Sequence, residues 1–183
     1  MSQRIADIQA KIGTTPDGFW GSKSIAACQA YLRSLDNGQN NWPSSDQASL
    51  TAFYGRAGDE SKLVSLPVPI LVSYEGSNVK TIRCHAKVAD SLERILRQLG
   101  SAVPSPLVYD GCFNNRAMRG GSTPSLHARG AAIDLYADGN GNHVSWPVVA
   151  TMPLVVMECF AREGWVCAGS AWGRDAMHFQ ATK

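Results

Sequence analysis

Ser125-Leu126-His127-Ala128-Arg129-Gly130-Ala131-Ala132-Ile133-Asp134 and, further along, Trp172-Gly173-Arg174-Asp175-Ala176-Met177-His178-Phe179 are the stretches on which the reading of this chain turns. The 183 residues include only four histidines, and two of them stand here beside carboxylates. A catalytic zinc commonly takes three protein ligands from His and Asp or Glu and keeps a fourth position for water. His127, Asp134 and His178 would supply such a set. Two ligands of one zinc lie only about 3–4 Å apart, whereas seven residues of extended chain span about 23 Å and turn odd-separated side chains to opposite faces. His127 and Asp134 can therefore share an ion only if the chain bends between them, and Gly130 is the residue that permits a bend. Asp175, just ahead of a short expected strand, sits where a loop can aim its carboxylate at water on the metal instead of at the metal.

Outward from these segments the pattern is mixed. Val68 to Tyr74 and Val79 to Cys84 read as strands around the turn Glu75-Gly76-Ser77-Asn78. Val88, Leu92, Ile95, Leu96 and Leu99 give a helix with one apolar face, closed by Gly100. Leu107 to Cys112 predicts a strand, Asn114 to Ser125 a polar, basic, Gly-rich loop, and Ala131 to Ala137 another strand. A helix is expected from about Thr151 to Glu163, capped by Thr151 and stopped by Gly164. Trp165 to Cys167 and Ala176 to Ala181 close the chain as short strands. Without βαβ regularity, this is an α+β pattern. Asp138-Gly139-Asn140-Gly141-Asn142 spaces its oxygen side chains as a calcium loop begins, but lacks the sixth-position Gly and the final Glu, and reads as a turn-rich loop.

The first sixty residues differ in character. Ile5, Ile8 and Ile12 repeat at helical spacing before Gly13, and Ser22 is placed to cap a second helix carrying Ile25, Cys28, Leu32 and Leu35. A polar loop from Asp36 to Ser45 leads to a short third helix, about Asp46 to Tyr54. So small a unit buries little apolar surface alone, and it is either docked on the rest or marginally stable.

Composition narrows the partners. A net charge of +2 is too small to point to nucleic acid, and no apolar run approaches the roughly 20 residues that cross a bilayer. Met1-Ser2-Gln3-Arg4 opens without a signal-peptide core, so synthesis in a cytoplasm without an export address is expected. The five cysteines are odd in number and form no CxxC pair, which argues for core packing over disulfides.

Ser-x-His-x2-Gly-x-Ala-x-Asp at Ser125 to Asp134, with Glu163-Gly164-Trp165 and Trp172-x2-Asp175-x2-His178-Phe179, resembles the D-alanyl-D-alanine carboxypeptidase and L-alanyl-D-glutamate peptidase family, in particular its phage endolysin members. The likeness runs from about Leu66 to Gln180 and includes Cys112-Phe113-Asn114-Asn115-Arg116 and Arg119-Gly120-Gly121-Ser122. It implies one zinc per chain on His127, Asp134 and His178, with Asp175 as catalytic base. It also implies a hedgehog/DD-peptidase-like α+β domain, over residues 65–183, with the metal in an open cleft. Residues 1–60 look like a peptidoglycan-binding helical module, through Ile5-x2-Ile8-Gln9-x2-Ile12-Gly13 and Asp17-Gly18-Phe19-Trp20-Gly21.

Family members use an arginine upstream of the first ligand to hold substrate or the developing oxyanion. Arg116 is assigned that catalytic role and Arg119 kept beside it, because a guanidinium stays charged and makes forked hydrogen bonds. Ser125 and Trp172 are expected on the cleft wall as substrate contacts. The resemblance thus implies a monomeric zinc endopeptidase of bacterial peptidoglycan, cutting beside a D-amino acid, in first place L-alanyl-D-glutamate. Such a lysis enzyme would wait in the host cytoplasm until the membrane is permeabilised. A D-alanyl-D-alanine carboxypeptidase or crosslink endopeptidase is the enzymatic alternative, and a zinc-stabilised wall-binding module the non-enzymatic one, for which Asp175 would have no use.

Overall fold

Local signals build most of the elements. The computed structural model describes residues 1–183. Helix α1 (Gln3–Lys11) starts where the Ser2 hydroxyl accepts the Ile5 N–H, and it turns Ile5 and Ile8 inward. Helix α2 (Ser22–Ser34) buries Cys28 and Leu32, while Ile25 faces solvent. Its cap is Gly21 and not Ser22, and Ser24 in its first turn points inward to the buried Gln9. Gln9 also takes the Gly18 N–H and donates to Asp17 and the Phe19 carbonyl, so one amide organises the Asp17–Gly21 turn. Helix α3 (Gln47–Tyr54) is capped by Asp46, whose carboxylate accepts the Ser49 N–H.

A six-stranded sheet follows, in the order β2-β1-β3-β4-β6-β5. Its strands are β1 (Leu63–Tyr74), β2 (Ser77–His85), β3 (Leu107–Gly111), β4 (Ala132–Leu135), β5 (Val166–Cys167) and β6 (His178–Gln180). Only β1 and β3 run parallel. Helix α4 (Ala89–Ala102) lays Leu92, Ile95, Leu96 and Leu99, all fully buried, against the sheet. Gly100 does not end α4: a Cβ there would stand 2.5 Å from Cγ2 of Ile70, so the glycine serves the approach of helix to strand. Helix α5 (Leu154–Arg162) is apolar on nearly every side because α2 and α4 pack on it as well. It begins after Pro153, three residues later than expected, because the Thr151 hydroxyl is occupied by the Asn140 amide. Gly164, at φ +70°, does end it. The short α6 (Ala168–Trp172) leads into the second motif.

The N-terminal helices share this core. Ile8, Ile12, Cys28, Leu32, Trp42, Leu50 and Tyr54 belong to the same connected cluster of 37 buried residues as α4, α5 and the sheet. Two buried carboxylates of α5 and its end fasten them. Glu158 accepts from Lys11 and Tyr31, and Glu163 holds Arg94 and Asn40 while its backbone carbonyl takes the Trp42 indole N–H at 2.8 Å. All five cysteines are buried free thiols. No helix is long and apolar enough to cross a membrane.

Trp42 tests this docking, since it packs edge-on against Trp165 and Phe53. Trp42→Ala is expected to destabilise the whole protein by about 3–5 kcal/mol. Urea unfolding followed on the sheet that begins at Leu63 would show it; an unchanged midpoint there would mean that the helices unfold separately.

Candidate metal centre and cleft

Strand register makes the site. In the antiparallel pair of β4 and β6, Asp134 lies opposite His178, so the two side chains leave one face of the sheet as cross-strand neighbours. His127 arrives from a 3-10 turn, Leu126–Arg129, just ahead of β4. The Ser125 hydroxyl caps that turn by accepting the His127 N–H, and Gly130 ends it at φ +65°. A Cβ at Gly130 would meet His85 N at 2.9 Å and the Cys84 carbonyl carbon at 3.2 Å, so neither the angle nor the space suits another residue. Here is the bend that the spacing of His127 and Asp134 demands.

Three atoms converge. His178 Nδ1 is 2.9 Å from Asp134 Oδ1 and 3.1 Å from His127 Nε2, which is itself 3.3 Å from Asp134 Oδ1. The other nitrogen of each ring is committed outward. His127 Nδ1 meets the Cys112 carbonyl at 2.7 Å, an oxygen that can only accept, so the proton sits on Nδ1 and Nε2 offers a lone pair. His178 Nε2 donates to Gln180 Oε1 at 3.1 Å, and Gln180 in turn donates to the buried Thr182. Two imidazole lone pairs and a carboxylate oxygen, all buried, therefore face one another with no hydrogen of their own between them. Such a set repels itself unless a cation sits among it, and its N, O, N donors suit zinc.

The electrostatics agree. Burial by itself pushes the Asp134 carboxyl up, but when His127 and His178 take up a second proton their hydrogen bonds and charge outweigh burial and hold it far below the usual carboxylate range. Burial pulls His178 down, and Asp134 more than offsets that, leaving His178 above its ordinary value. The site is tuned to hold positive charge.

Asp175 stands apart from the ligands. Its φ of +57° is the left-handed region, uncommon outside glycine, and its Oδ1 is buried without a hydrogen-bond partner. Burial raises its pKa, Asp134 adds to the rise, and His178 and Arg119 oppose it. Its backbone carbonyl accepts the His178 N–H, locking the turn between them. Glu163, the other carboxylate of the matching text, is consumed by Arg94 and Asn40.

The cleft outside Asp134 and His178 holds about 260 Å³. Arg116, Arg119 and Ser125 border it, as does Trp172, which is half exposed and stacks on His178 at 5.7 Å. Arg174 and Asn142 also line it, and nothing in their spacing marked them. Neither did the spacing mark Gln180 or the Cys112 carbonyl, because an outer hydrogen bond to an imidazole has no sequence signature. Asn140 was visible only as a turn residue. It is buried, takes the Met152 N–H, and its carbonyl takes the Met177 N–H beside His178. A larger cavity, of about 570 Å³, lies between α2 and β5 and shares no residue with the cleft.

The α+β sheet thus presents two histidines and an aspartate that could hold a metal ion in a cleft, with a free carboxylate beside them. Residues 119–181 match the model of a family described as D-alanyl-D-alanine carboxypeptidase, a family of zinc peptidases. The match holds His127, Asp134, Asp175 and His178 but begins after Arg116 and leaves the N-terminal helices outside. No curated protein and no solved structure matches the chain.

Two substitutions would separate a metal ligand at His178 from a general base at Asp175. His178→Ala removes a lone pair from the cluster and is expected to abolish zinc uptake. Asp175→Asn should keep stoichiometric zinc and lose about 10²–10⁴-fold in turnover. Zinc content measured on both purified variants checks this, and zinc loss in Asp175→Asn would make Asp175 a ligand.

Proposed function

We propose that this protein is a zinc-dependent peptidoglycan endopeptidase that cuts a stem-peptide bond next to a D-amino acid, in first place L-alanyl-D-glutamate. The observation that carries the reading is the convergence of His127, Asp134 and His178 on one point, with the unpartnered Asp175 carboxylate in the same cleft. When bound there, zinc supplies a Lewis acid for a carbonyl oxygen and lowers the pKa of water towards 7. Asp175 takes the proton of the attacking water and returns it to the leaving amine, a task suited to a carboxylate raised by burial. Ser125 and Gln180 hold the two histidines in place. Arg116 and Arg119, with Arg174, give the cleft a cationic rim that fits a substrate carrying a free carboxylate. A D-glutamyl residue in the stem peptide carries one.

A terminal D-alanine carries one too, and the matched family's description favours that second reading, removal of D-alanine by a carboxypeptidase. The likeness of the motifs to phage endolysins supports the first. It also supports a lysis enzyme that works as a monomer and reaches the wall from the host cytoplasm once the membrane is breached.

Mass spectrometry of fragments released from purified peptidoglycan decides between the two. Endopeptidase action should leave muramyl-L-alanine and peptides with a new glutamyl amino terminus, whereas release of free D-alanine alone would establish the carboxypeptidase. Either activity is expected to stop in strong chelator and return with zinc. Full activity in chelator would end the zinc reading.

A further inference from the structure

The turn that carries His127 is four residues long and too short to fix itself. The element that holds it comes from the other end of the chain. Arg129, two residues after His127, is only 4% exposed. Its Nε donates to the Gly55 carbonyl at 3.1 Å, and its Nη2 donates to Gln47 Oε1 and Thr51 Oγ1, each at 3.1 Å. All three acceptors belong to α3 or the residue that ends it. The same amide of Gln47 donates to the Pro124 carbonyl on the approach to the turn, and the Gly58 N–H meets the Ala128 carbonyl at 2.6 Å. No carboxylate lies within ion-pair distance of Arg129, and its Nη1 has no partner. A guanidinium buried among neutral acceptors is costly, and an apolar side chain of similar length would fill the space more cheaply. What the guanidinium adds is three directed bonds between a helix and a ligand-bearing turn.

The second ligand segment is tied to the same helix. The Tyr54 hydroxyl, 2% exposed, donates to the Ala181 carbonyl at 2.7 Å, one residue beyond β6. The Tyr54 carbonyl accepts from His85 Nε2, and the His85 N–H donates to the Gly130 carbonyl at the end of the His127 turn. Helix α3 thus touches the His127 turn along its length and, through Tyr54 at its C-terminal end, the residue that follows the His178 strand.

We propose that α3 is a splint for the metal centre and that Arg129 is its positioning residue. The proposal rests on the reading of His127, Asp134 and His178 as zinc ligands. Metal bonds tolerate only about 0.2 Å of error, so a turn released from α3 would bind zinc poorly even where the fold persists. The N-terminal helices then serve the catalytic centre directly, and a cut near residue 60 would part α3 from the turn that it holds.

The test is zinc affinity of the full-length protein, by competition with a chelating dye, beside the thermal stability of the zinc-free form. Arg129→Met keeps the bulk and removes the bonds; zinc should bind about 10–100-fold more weakly, as for other partners that orient metal ligands. Arg129→Lys, which keeps the charge but lacks the fork, should restore little of the loss. A purely structural role would lower the melting temperature of the zinc-free form and leave zinc affinity unchanged, and that result in folded Arg129→Met would overturn the proposal. Should Arg129→Met not fold, Gln47→Leu and Thr51→Val each remove one acceptor from less buried positions. Combined, they should weaken zinc several-fold, and unchanged affinity in that pair overturns the splint equally. A wild-type protein that takes up no zinc would sink the metal reading and the splint together, whereas normal zinc in the wild type and in Arg129→Met sinks the splint alone.

Discussion

Three buried lone pairs aimed at one point are the constraint around which this structure is arranged. His127 Nε2, His178 Nδ1 and Asp134 Oδ1 approach within hydrogen-bonding distance while the protons that might reconcile them are held on the far side of both rings. Keeping such groups together against mutual repulsion requires rigid supports. The sheet supplies Asp134 and His178 by direct cross-strand pairing, and Phe179, next to His178, stacks on Phe160 at 4.0 Å to fix β6 against α5. His127 has no strand behind it and is held by the Ser125 cap, the Cys112 carbonyl and, through Arg129, the contacts of α3.

That dependence changes the meaning of the N-terminal helices. A unit that small could have stood as a separate body on a linker. Here the Asp36–Ser45 loop instead inserts Trp42 beside Trp165, and Asn40 reaches Glu163. Cationic and polar groups of α1 and α2 converge on Glu158. Any contact with the wall must come from the exposed side, where Phe19 and Ile25 stand, because the inward stripe is already spent on the core.

The sequence showed the chemistry more clearly than its assembly. Histidine is rare in this chain, so His127 and His178 with their neighbouring carboxylates stood out, and the strict distance rule for metal ligands singled out Gly130 as the bend. Strands and helices followed from periodicity, since apolar faces obey local spacing. The errors came where a distant residue decides. Gly100 looked like a helix stop because nothing local reveals Ile70 at its surface. Thr151 looked like a cap because nothing local reveals Asn140 donating to its hydroxyl and accepting the Met152 N–H. Ser22 looked like a cap although Gly21 serves, with Ser24 drawn inward by Gln9. Arg129 drew no notice, since an arginine in a Gly-containing motif reads as solvated until its three acceptors on α3 are seen.

The groups proposed for catalysis and those proposed for recognition occupy different environments, and this division has a physical basis. The ligands and Asp175 are buried or half-buried in strands and tight turns, where displacement by a few tenths of an ångström matters. Arg119 and Arg174 are exposed and Arg116 is half-buried, and they stand on loops joined by the short Ala117–Pro124 bridge or ended by left-handed residues. A long guanidinium reaching a carboxylate from solvent tolerates more positional error than a metal ligand does, and its charge acts over several ångströms. Under the proposed function, the bond that is cut would depend on where these arginines seat the substrate's carboxylate relative to the point on which His127, Asp134 and His178 converge. Under the proposed function, the chemistry would be set by the sheet and α3, and the choice among D-amino acid linkages by the loops around residues 116–119 and 174.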